Sequence, residues 1–95
     1  VMTTTPAEAT YVSDWELIAH PDDYRRHFTT SHTATVTGLP ELGGTATLPV
    51  QGEQRQDGTV TRYVDVDSQG AFTADQLRAL AVECLSMADQ LDNPA

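Results

Sequence analysis

Lysine is absent from this chain. Its 95 residues carry only five basic side chains, all arginine, against 14 acidic ones, for a formal net charge of −9. A surface of that sign cannot displace counterions from a phosphate backbone, so direct nucleic-acid binding is excluded as a leading function. Anionic membrane surfaces repel it as well, whereas a basic protein partner suits it. Cysteine is nearly absent: Cys84 stands alone, so no disulfide can close within the chain. We read Cys84 as a small buried apolar residue in a reducing compartment. No apolar run approaches the ~20 residues of a membrane span. The first residues lack the basic start and apolar stretch of a secretory signal, so the expected localisation is cytoplasmic.

Catalytic signatures are missing too. No serine or cysteine stands in a nucleophile elbow. Gly43-Gly44 precedes no helix that could cradle a phosphate. An enzyme is therefore not expected. A chain of this length buries only about 60–65% of its unfolded surface, which leaves room for one sheet and one helix.

What is present divides into an arm and one domain. Residues 1–10 are small and polar, with Pro6 among them, and are expected to be a disordered arm. Residues 11–92 form the expected single α+β domain: a small antiparallel sheet of three or four strands with one C-terminal helix packed on one face. Tyr11 to Ala19 alternates as a strand does, with a short helix as the competing reading, while Tyr24 to Phe28 is ambiguous between strand and helix. Thr33 to Gly38 is β-prone. Asp57-Gly58 marks a hairpin between Thr45–Gln56 and Thr59–Asp67. A two-residue Asp57-Gly58 loop would split the apolar faces of that hairpin. A slip that pairs Val66 with Val50 merges them, which predicts a three-residue loop through Thr59 or a bulge near Gly52.

Thr73 and Gln76 make a capping box for the C-terminal helix. Leu77, Leu80, Ala81, Cys84, Leu85, Ala88 and Leu91 fall on one helical face, the expected core seam. Val82 and Met87 at its margins widen the apolar surface, a hint of self-association. Trp15, the only tryptophan, is expected in the core.

Three sets of residues are candidates for function. All three histidines lie in the stretch from His20 to His32. His20, Asp23, His27 and His32, with Asp22 as a further donor, could ligate zinc. The plainer reading is a polar loop. Tyr63 on the outer face of the hairpin could anchor a partner. Asp65 and Asp67, projecting from the same face of a strand, could extend that partner-binding surface, or be a solvated sheet face.

Trp15, His20-Pro21-Asp22-Asp23 and Arg26-His27-Phe28 come in an order that resembles a family of small actinobacterial and actinophage proteins of unknown function. The hairpin and the Thr73-Ala74-Asp75-Gln76-Leu77 helix ending in Leu91-Asp92 extend the resemblance over residues 14 to 92. Members of that family carry cysteines beside the tryptophan. Here Ser13, Asp14 and Glu16 stand there, so any metal site those cysteines imply is lost. The resemblance implies no activity.

The expected function is therefore a small acidic, non-enzymatic interaction or regulatory protein that self-associates as a homodimer and contacts a protein partner, for which a basic surface would be the complement. One alternative is a metal-binding module built on the His20 to His32 segment. Another is an acidic phage-type decoy of a nucleic-acid-binding protein, although the carboxylates are spread along the chain rather than gathered in a stripe.

Overall fold

The computed structural model describes residues 4–19 and 21–92. Threonine, valine and aromatic residues favour the strands β1 (Ala9–Val12), β2 (Glu16–Ala19), β3 (Asp23–Thr37), β4 (Thr45–Arg55), β5 (Val60–Val64) and β6 (Asp67–Gln69), ahead of α1 (Ala74–Asp92). The class is α+β, as expected. The sheet, however, has six antiparallel strands rather than three or four. The difference lies in the two outer rows. β1 and β2 both pair with β3, at Phe28–Thr30 and at Asp23–Arg25. β5 and β6 both pair with β4, at Val50–Gln54 and at Thr45–Thr47. The sheet is thus four rows wide, and each outer row is broken into two short strands.

The break between β1 and β2 has a local cause. The backbone N–H of Ser13 donates to the His27 carbonyl, and the Ser13 hydroxyl accepts from the His27 N–H, both at 2.8 Å. Ser13 therefore hangs on β3 while the chain around Asp14 and Trp15 leaves the ladder. β1 also begins at Ala9, inside the stretch expected to be a disordered arm.

β4 is the centre of the sheet. Ala46, Leu48, Val50, Gly52 and Gln54 are buried on one face, while the residues between them are half-buried on the other. β3 runs beside it with one irregularity. Between the pairs Thr29–Gln51 and Thr33–Pro49, Thr30, Ser31 and His32 stand where β4 offers only Val50. This insertion preserves the alternation, so Phe28 and Val36 both face the core.

The hairpin between β4 and β5 pairs Val50 with Val64 and Gln54 with Val60. Its loop is three residues, Gln56-Asp57-Gly58, closed by the Arg55 N–H to Thr59 carbonyl bond at 2.9 Å. The length and the merged apolar faces agree with expectation. The slip runs the other way, so Val50 meets Val64, not Val66. Gly58, at φ +93°, supplies the left-handed residue that follows a turn of this length, and the Asp57 carboxylate accepts from the Thr59 N–H at 2.8 Å. β4 pairs evenly with β5 through Gly52, with no bulge there. Gly52 is required for a different reason: a Cβ at this position would meet the Phe28 ring, with Cε1 2.6 Å away and Cζ nearer still.

Two covers share the buried face. α1 lies over one half, where Leu80, Met87 and Leu91 pack with Leu48, Val50, Ala34 and Val64. Its first turn is closed as the sequence predicts: the Thr73 N–H donates to Gln76 Oε1 at 2.8 Å and the Gln76 N–H to Thr73 Oγ1 at 3.2 Å. The N-terminal segment covers the other half. Gln54, only 3% exposed, accepts from Arg26 Nε at 2.8 Å and donates to the Thr4 carbonyl at 2.7 Å. Glu8 pairs with Arg62 beside it.

The apolar core is small. Among the described residues it consists of Phe28, Val36, Ala46, Leu48, Val50 and Met87, and only Phe28 and Leu48 are large and fully enclosed. The radius of gyration is 16.3 Å, against about 12 Å for a compact chain of this length. The molecule is an elongated slab, 50 × 27 × 19 Å. No helix among the described residues is long and apolar enough to cross a membrane.

Candidate interaction surfaces

The helix carries its apolar residues in more than one row. At 100° per residue, Leu80, Met87 and Leu91 share the row that meets the sheet. Cys84, Leu77, Ala88, Ala81 and Leu85 follow in that order around the helix, from about 40° to about 140° away from it. That set was the larger part of the expected core seam, yet all five are exposed, Leu77 by 52% and Leu85 by 69%. Val82 is 63% exposed. The reason is geometric: one face of a single sheet touches an arc narrower than the apolar arc of this helix. Cys84 is correspondingly an exposed thiol and not a buried residue.

The charges on α1 follow the same periodicity. Asp75, Val82 and Asp89 are spaced by seven, as are Arg78, Leu85 and Asp92. Seven-residue spacing keeps each set on one side of the helix, so Asp75 and Asp89 bracket Val82 while Arg78 and Asp92 bracket Leu85. Arg78 is held locally by Asp75 at 2.7 Å. The outward face of α1 is thus apolar in the middle, closed by an ion pair at its N-terminal end and acidic at its C-terminal end, where Asp89 and Asp92 stand.

The sheet face opposite the helix is polar. Arg25 bonds Asp23 through Nε at 3.3 Å and Nη2 at 3.1 Å, and reaches Glu53 with Nη1 at 3.4 Å. The Arg25 guanidinium holds the Asp23 carboxyl below its usual range, chiefly through that hydrogen bond. Next along the face, the Tyr63 hydroxyl lies 3.4 Å from His27 Nδ1. Burial, followed by the nearby Glu53 and Asp65 carboxylates, pushes the Tyr63 phenol up.

The sequence-level candidates are distributed as follows. His20 lies outside the described residues. Asp23 and His27 stand on β3, and His32 is in the insertion opposite Val50, where its N–H donates to Thr30 Oγ1 at 3.1 Å. Among the described residues no group of three or more His, Cys, Asp or Glu could hold a metal ion. Tyr63 is half-buried over His27, so it is less open than an edge anchor would be. Asp65 and Asp67 are not on one strand: Asp65 is in the link after β5, with its N–H on the Pro49 carbonyl at 3.2 Å, and Asp67 opens β6 opposite Thr47. Trp15 is not core. It is half-buried beneath the Arg26 guanidinium, 4.5 Å from ring centroid to Cζ.

Two features had no signal in the sequence reading. One is the polar lock of Thr4, Glu8, Arg26, Gln54 and Arg62. Its partners lie 28 to 54 residues apart and share no motif. The other is the outer edge of β3. β1 and β2 pair with residues up to Thr30, while Thr33–Thr37 pair with β4 alone.

Comparison with known protein families, with curated proteins and with solved structures found no match.

Proposed function

We propose that this protein is a small acidic interaction protein that self-associates and acts by contact with a basic protein partner, not by catalysis. The observation that carries this reading is the uncovered outer face of α1, with Leu77, Val82 and Leu85 all more than half exposed. Exposed large apolar side chains spread over an outer helix face, with charge beside them, are how helices present themselves to other chains. The rim decides the partner. Asp75, Glu83, Asp89 and Asp92 outnumber Arg78 on this helix, so the complement is an amphipathic helix with basic flanks.

Cys84 gives a direct test, because it is exposed and unique in the chain. An environment-sensitive dye on Cys84 is titrated with a synthetic Leu/Lys amphipathic peptide and with its Leu/Glu twin. Saturable binding of the Lys peptide is expected, weakening as salt rises. Leu85→Glu should lower that affinity at least about tenfold. Equal binding of the two peptides, or unchanged binding by Leu85→Glu, would overturn the reading.

A further inference from the structure

We infer that the Thr33–Thr37 edge of β3 is the seam of a homodimer, in which a second copy adds the same five residues antiparallel and one sheet runs through both molecules. This inference rests on the self-association proposed above and names where it occurs.

Among the described residues this edge is open. Beyond Thr30 no described strand pairs with that side of β3, while pairing with β4 continues to Thr37. The Gly38 N–H donates to the Gly44 carbonyl at 2.9 Å. That bond turns the even-numbered residues of this stretch toward β4, and with strand alternation it turns the backbone groups of Thr33, Thr35 and Thr37 outward. Outward N–H and C=O groups in a row are a template for another strand.

The edge also lacks the usual guards. Thr33-Ala34-Thr35-Val36-Thr37 contains no charge and no proline, and threonine and valine favour strands. β1 is likewise uncharged but only four residues long, and the remaining outer strands differ. β2 carries Glu16, β5 carries Arg62, and β6 begins with Asp67.

The occupant is a second copy because of charge and register. Two chains of net charge −9 repel over most of their surfaces. At this seam no like charges meet. Pairing about a twofold axis at Thr35 sets Thr33 opposite Thr37 and Ala34 opposite Val36. Threonine pairs across strands are favourable, and Ala34 and Val36, which face the helix side of the sheet, carry the small core across the axis. The same register places Pro40 opposite Thr30. Proline has no N–H to donate, so the seam ends where β1 takes over.

The test is sedimentation velocity over a range of concentrations on wild type, Thr35→Pro, Thr35→Glu and Leu85→Glu, with circular dichroism melts to confirm folding. Thr35→Pro removes an outward N–H and leaves the bonds to β4 intact. Thr35→Glu sets two like charges face to face on the axis. The wild type is expected to dimerise reversibly. Both Thr35 variants should raise its dissociation constant at least about tenfold, while Leu85→Glu should leave it unchanged. Folded Thr35 variants that dimerise like wild type would overturn the seam. If Leu85→Glu alone abolished the dimer, self-association would stand and the helix row would be its surface. A wild type that stays monomeric up to ~1 mM would overturn both the seam and the self-association reading.

Discussion

Replacing Gly52 by alanine should destabilise this protein, against the usual sense of that change. A glycine inside a strand costs conformational entropy, and Gly→Ala at a permissive site gains about 0.4–1 kcal/mol. Gly52 is not permissive. A Cβ there would lie 2.6 Å from Phe28 Cε1 and 2.7 Å from the Thr61 carbonyl oxygen. Comfortable carbon contacts are about 3.5–4.0 Å, so the overlap is about 1 Å. Phe28 is fully enclosed and pairs directly with Gly52 across the ladder, so its ring has nowhere to swing. Overpacking of this kind costs about 1–3 kcal/mol. Set against the entropy gain, the net loss is about 1–2 kcal/mol. For a domain of this size that is a fall in Tm of about 4–16 °C. The assay is thermal and urea unfolding followed by far-UV circular dichroism. A second variant isolates the cause. Phe28→Leu in the Gly52→Ala background removes the far ring carbons, so the double variant should be more stable than the sum of the single losses by at least about 0.5 kcal/mol. An unchanged or higher Tm for Gly52→Ala would refute the argument, and strict additivity would assign the loss to the Thr61 carbonyl instead.

Two further predictions concern the polar lock over the same half of the sheet. Gln54→Ala should cost about 1–3 kcal/mol, because it strips a buried hydrogen-bonding partner from both Arg26 and the Thr4 carbonyl. It should also speed hydrogen exchange in Ala9–Val12, and unchanged protection there would show that the segment is held by other contacts. The second follows from Glu8, whose carboxyl is lowered from 4.5, first by the Arg62 hydrogen bond. A depressed carboxyl contributes stability that is complete above its unfolded value and is lost as pH falls through the folded one. The urea midpoint should therefore drop below about pH 4.5, and less steeply in Glu8→Gln than in wild type. Identical acid profiles would remove Glu8 from the account.

The elements legible in the sequence were those with local causes. Thr73 and Gln76 announce a helix start because the two side chains satisfy each other's backbone within one turn. The Asp57-Gly58 turn and the parity of Val50 against Val64 were readable because a one-residue slip would have exposed an entire apolar face. The failures were long-range. Tyr24-Arg25-Arg26-His27-Phe28 shows no clean alternation, since its inward Arg26 is covered by Trp15 and Gln54 and not by apolar side chains. Its membership in a 15-residue strand was therefore hidden. The apolar arc of α1 gave the helix but not which edge of the arc the sheet would take, and Leu77 and Leu85 fell on the other one. Among the functional candidates, Tyr63 was readable as a residue on the outer hairpin face, but its contact with His27 depended on a register between β3 and β4 that no motif encodes.

The lock of the N-terminal segment also bears on the order in which the molecule can be made. Thr4 and Glu8 are made before their partners Gln54 and Arg62, which follow 50 and 54 residues later. Until those partners emerge, nothing can hold the first segment, and closing so long a loop must wait for a sheet to close onto. The hairpin of β4 and β5 is the more local structure and is the natural first element to form. The segment ahead of β1 is then among the last parts of this domain to dock, and a nascent chain paused before Gln54 would leave it without either partner.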